Sequence, residues 1–136
     1  MIQRIQSIWL LLATVFVFLT MQLTSYVGAD AEGIAHFIKG TSSTVLVIAT
    51  SVVGTVSLIA IFLFKQRKLQ IKVVLFALLL EFVLAFLYYR EIHLLVGKGE
   101  FAVTALLHLG VVLFLLLAAK SIMADEKLIK DSNRLR

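Results

Sequence analysis

Four apolar runs, each about as long as a membrane is thick, decide what this chain can become. They cover roughly residues 5–27, 45–64, 71–89 and 101–119. A helix rises 1.5 Å per residue, so about 20 residues cross roughly 30 Å of hydrocarbon. Each run meets or approaches that length. The first is longer than the apolar region of a signal peptide, and the Gly28–Ala29–Asp30 stretch behind it is a weak cleavage site, so it is read as a retained span. Lipid-facing barrel strands alternate apolar and polar residues over about ten positions, whereas these runs are continuously apolar. A helix also satisfies its own backbone groups where no water is present. The expected fold is all-α: an integral membrane four-helix bundle over residues 1–119, with a cytoplasmic amphipathic tail over residues 120–136.

Charge then orients the bundle. Only 15% of the residues are charged and 61% are hydrophobic, against about a quarter charged in a soluble domain. The formal charge is +5, but the basic residues sit in patches between the apolar runs. That pattern is one of membrane topology, and no nucleic-acid partner is expected. Arg4, Lys65, Arg67, Lys68, Lys72, Lys120, Lys127, Lys130, Arg134 and Arg136 fall on one side, and Lys39, Arg90 and Lys98 on the other. The bias predicts both termini in the cytoplasm. Trp9, Tyr26, Tyr88 and Tyr89 lie near span ends, where aromatic belts form. The outer connections are short, about 28–44 and 90–100. The first has room for one small helix, AEGIAHFIK, with Ile34, Phe37 and Ile38 as its apolar stripe. In the second, Gly97 and Gly99 flank Lys98 and mark a turn.

One carboxylate lies inside a span. Glu81 is close to the centre of the third run, where a charge costs on the order of 2.5–3.5 kcal/mol on insertion scales. It must therefore turn into the bundle. His108 is its natural partner, because the fourth span runs the opposite way and brings His108 to nearly the same depth. Ala77 and Ala85, four residues either side of Glu81, are expected to allow close helix packing, as are Gly54 and Ser57 of the second span. Three roles are open to the Glu81–His108 pair. It joins helices or docks a partner, it moves protons or ions in an oligomer, or it lines a pocket for a lipid or quinone. No Cys is present, and His36, His93 and His108 do not assemble the three or four ligands of a metal site. Haem held between His36 and His93 is not expected either, so no metal and no cofactor are expected, and no nucleophile–base motif marks an enzyme.

The tail SIMADEKLIKDSNRLR repeats apolar residues near helical spacing, with Glu126 four residues before Lys130, a favourable pair. It reads as a helical continuation, or as a contact for a cytoplasmic partner or anionic lipid through Asp125, Glu126, Leu128, Lys130, Arg134, Leu135 and Arg136. The two ends, MIQRIQSIWLLL and ADEKLIKDSNRLR, resemble the terminal signatures of a family of small four-span inner-membrane proteins of Bacteroidetes known as a domain of unknown function. Asn133 departs from that pattern, in which an acidic residue is expected. The resemblance implies the inner (cytoplasmic) membrane of a Gram-negative cell and no particular activity. It also implies that Asp125, Glu126, Leu128, Arg134, Leu135 and Arg136 are signature positions. The reading is thus of a non-enzymatic accessory or structural subunit. Its expected partners are membrane lipids and either another membrane protein or a second copy of itself. The alternatives are a small oligomeric proton or ion transporter and a lipid- or quinone-binding bundle.

Overall fold

The computed structural model describes residues 2–95 and 99–134. Four long helices dominate: α1 (Ile2–Gln22), α2 (Thr44–Phe62), α3 (Arg67–His93) and α4 (Leu106–Arg134). They run up, down, up, down. α1 packs on both α2 and α4, and α3 on both α2 and α4, so the bundle closes into a ring. Both ends of the chain and the α2–α3 connection lie at one end, termed the terminal end. The two longer connections lie at the other, the sheet end.

The helices pack through one narrow seam each. In α1 the seam is Gln6, Leu10, Ala13, Val17 and Thr20, with Thr14 buried beside it, and in α3 it is Gln70, Val74, Ala77, Glu81, Leu84 and Tyr88. Steps of three and four residues alternate in both, as do Leu46, Thr50, Val53, Ser57 and Ala60 of α2. This is the knobs-into-holes spacing of four-helix bundles. The polar residues sit in the seams while the outside is apolar: Phe62, Phe86 and Leu109 are 71%, 64% and 66% exposed. A water-soluble bundle has the opposite distribution.

Seam hydroxyls are satisfied locally. Thr14 donates to the Leu10 carbonyl at 2.8 Å and Thr50 to that of Leu46 at 2.7 Å. Gly54 gives α2 a notch filled by the Phe18 ring, which would lie 2.8 Å from a Cβ placed there. Ser57 and Ala77 are also fully buried, in keeping with close packing. Ala85 is not: it is exposed beside the seam. The inward face of α3 advances from Glu81 to Leu84 and Tyr88, so the residue at i+4 falls on the flank.

The sheet end departs from the expected helix. Tyr26–Ala29 (β1), Ala35–Ile38 (β2) and Glu100–Phe101 (β3) form an antiparallel sheet in the order β2-β1-β3. Tyr26 pairs with Ile38 on one side and with Phe101 on the other. The reason is in the turn. Asp30 Oδ1 accepts from the N–H of Glu32 at 2.9 Å and of Ile34 at 3.1 Å. Gly33 holds φ +80°, which side-chain-bearing residues seldom adopt. A helix through residues 31–39 is thus broken at its start. The predicted stripe splits, with Ile38 buried while Ile34 and Phe37 face outward. The first helix accordingly ends at Gln22, and the fourth starts at Leu106 after a short 3-10 turn, Val103–Ala105. Of the residues expected in aromatic belts, Tyr26 and Tyr88 are buried, Trp9 stacks on Phe114 at 5.8 Å, and Tyr89 is exposed. The turn expected at Gly97–Lys98 lies outside the described residues.

The hairpin turn titrates. The backbone N–H of Ile34, then that of Glu32 and the His36 ring, hold the Asp30 carboxyl below its ordinary value of 3.8. A lowered folded-state pKa contributes stability above the unfolded value, and that contribution is lost as pH falls through the folded one. Protection of the Glu32 and Ile34 amides, measured against their intrinsic exchange rates, is therefore expected to hold down to about pH 4 and to be lost as pH falls further. Asp30→Ala is expected to show little protection at either amide at any pH.

Candidate functional site

Glu81 sits at the middle of α3, 1% exposed in its side chain, and its Oε1 lies 2.8 Å from Nδ1 of His108 on α4. α3 and α4 are antiparallel neighbours joined by a short connection, so residues at matched depth meet. Tyr88, two turns beyond Glu81 on the same seam, lays its ring edge-on to His108 with centroids 4.6 Å apart. Its hydroxyl makes a long hydrogen bond, 3.5 Å, to the Thr20 carbonyl of α1. A line of polar groups therefore joins three helices in the half of the bundle nearer the sheet.

The pair is incompletely satisfied. Glu81 Oε2 and His108 Nε2 are both buried and have no hydrogen-bond partner. Such orphaned atoms are uncommon in native interiors. Next to them a cleft of about 250 Å³ opens between α3, α4 and β3. His108, Tyr88 and Ser25 supply its polar groups, and Ala85, Tyr89 and Phe101 line the rest. Ala85 is small for this cleft rather than for a helix contact. The arrangement can hold a proton between acid and imidazole and offers ring nitrogen and hydroxyl groups to a guest.

The remaining expected residues separate. His36 lies 3.0 Å from Asp30 Oδ2, at the hairpin turn. His93 ends α3 and meets the Tyr89 ring edge-on, with centroids 4.3 Å apart. Among the described residues no group of three His, Cys, Asp or Glu side chains gathers as a metal site. In the tail, Asp125 is buried rather than offered to a partner. Its Oδ2 lies 4.0 Å from Arg67 Nη2, and its carbonyl accepts from Nη1 at 3.5 Å. Asp125 thus ties the last part of α4 to the start of α3. That contact is invisible in the sequence until the tail is known to stay helical and packed. Glu126 pairs with Lys130 at 2.9 Å, as its spacing implied. Leu128 is exposed. The side chain of Arg134, together with Leu135 and Arg136, lies outside the described residues.

Seams that are polar inside and helices that are apolar outside define the class of the protein. Its four helices are each long and apolar enough to cross a membrane, the mark of a multi-pass membrane protein. The family model described as Domain of unknown function (DUF4293) matches residues 2–135, and the chain belongs to that family. No curated protein and no solved structure matches it.

Proposed function

We propose that this is a non-enzymatic subunit of the bacterial inner (cytoplasmic) membrane, with both termini in the cytoplasm. In this reading it binds another membrane protein through its spans and its last helix. The observation that carries the reading is the reach of α4. The helix runs to Arg134, although Asp125 is its last buried side chain among the described residues. Beyond that point it presents Leu128, 55% exposed, between cationic neighbours. Leu128 and Ile129, 55% and 45% exposed, give this charged helical arm an apolar strip that a partner helix could cover. Glu81 and His108 fit a structural role here, since each is already turned toward the other. The ten-to-three distribution of basic residues supports the orientation.

Copurification from native membranes in mild detergent tests this. A discrete membrane protein is expected to accompany the full chain in fixed ratio and to be lost when residues 127–136 are deleted. A monomer without partner, unchanged by the deletion, overturns the reading. A second reading, an amphiphile held in the cleft, is favoured by the unpartnered Nε2 of His108. Native mass spectrometry of the same preparation would then show one tightly retained small molecule.

A further inference from the structure

The terminal end carries a second cavity, larger than the cleft and opposite in character. It measures about 780 Å³ and lies between the α2–α3 connection and the last turns of α4, within the 300–1,000 Å³ range of ligand pockets, roughly. Lys65, Arg67, Lys68 and Lys130 line it, with Glu126 as the one carboxylate. Two of the four cations are engaged: Arg67 with Asp125 and Lys130 with Glu126. Lys65 and Lys68 make no ion pair within 4.0 Å among the described residues, and both side chains are exposed. The backbone adds to the same sign. α3 begins here at Arg67 with no side-chain cap and no acidic residue in its own first turn, so its positive end faces the cavity, with Asp125 and Glu126 of α4 beside it. The mouth is apolar as well: Phe64, Leu69 and Ile129 line it and are 39%, 43% and 45% exposed.

We propose that this cavity binds the phosphate of an anionic phospholipid. The phosphate lies between Lys65 and Lys68 at the start of α3, and the glycerol and first acyl carbons lie against Phe64, Leu69 and Ile129. The chemistry is that of a phosphoester anion. The apolar mouth, set at the ends of helices long enough to cross a membrane, assigns it to a lipid rather than to a free phosphate. The inference rests on the membrane placement proposed above but not on the accessory role.

The test uses the full chain in nanodiscs of phosphatidylcholine with a graded fraction of phosphatidylglycerol, and reads the lipids retained by native mass spectrometry. Preferential retention of phosphatidylglycerol is expected. Each lysine removed should weaken it about fivefold, so Lys65→Gln with Lys68→Gln abolishes the preference. Lys39→Gln, which removes one charge at the sheet end, should leave it intact. Both substituted lysines are exposed, and equal helical content by circular dichroism checks that the variants fold. Equal retention of the two lipids, or equal loss in Lys39→Gln, overturns the proposal. So does full competition by millimolar inorganic phosphate, which would make the ligand a soluble anion. Flotation of the unsubstituted protein with vesicles reads the membrane placement separately.

Discussion

His108→Leu is expected to destabilise the protein by about 3 kcal/mol, and Glu81→Leu added to it to restore most of the loss. Removing one partner of a buried pair leaves the other uncompensated, at a cost of about 3–5 kcal/mol, whereas replacing both by apolar groups is often neutral or better. The Leu side chain also forfeits the edge-on contact with Tyr88, worth about 0.5–1.5 kcal/mol. Glu81→Gln should cost less than either truncation, since an amide oxygen can still accept from Nδ1. Unfolding in mixed micelles, followed by circular dichroism for both single variants and the double, gives the coupling directly. Additive losses would show that the 2.8 Å contact contributes nothing to the fold.

Gly40→Val is expected to be nearly as damaging, by about 3 kcal/mol, at a residue with no side chain to lose. Gly40 closes the hairpin onto the end of α1, donating its N–H to the Thr20 carbonyl at 3.0 Å. A Cβ there would stand 2.9 Å from the Met21 Cα, 3.1 Å from the Thr20 oxygen and 3.2 Å from the Tyr88 hydroxyl. Two of these are backbone atoms and cannot rotate aside, so β2 must lift off the helix. Overpacking of this kind costs about 1–3 kcal/mol, and the two methyl groups of Val bring it to the upper end. Gly40→Ala should cost about 1 kcal/mol. Limited proteolysis within residues 30–44 should report the lifted hairpin alongside the fall in thermal stability.

The four helices were legible because an apolar run long enough to cross a membrane can be read from composition and length alone. Glu81 and His108 could be placed at one depth because antiparallel spans share a ruler of 1.5 Å per residue. Ala85 was misplaced by the same simplicity. Counting four residues from Glu81 predicts the inner face, but a seam that alternates three and four leaves that position on the flank. The sheet was illegible for another reason. Tyr26–Ala29 lies at the end of the first apolar run, behind only Gln22, Thr24 and Ser25, and its partners lie as far away as Phe101. Pairing of that kind depends on where the helices bring the loops, which no local pattern records. Asp125 looked like a surface residue because its counter-charge, Arg67, stands 58 positions earlier in the chain.

The middle strand of the sheet carries a consequence for how the molecule is made. β1 gains β2 within a dozen residues, but its other edge stays bare until Glu100 and Phe101 emerge. Ala102 then donates to the Ser25 carbonyl, and Thr104 Oγ1 to that of Thr24. During synthesis, the first helical hairpin must wait with an open edge for the second to arrive. The small sheet is thus a clasp that can shut only after α3 has been made, since β3 lies between α3 and α4, and a molecule stalled before that point would display an unpaired strand.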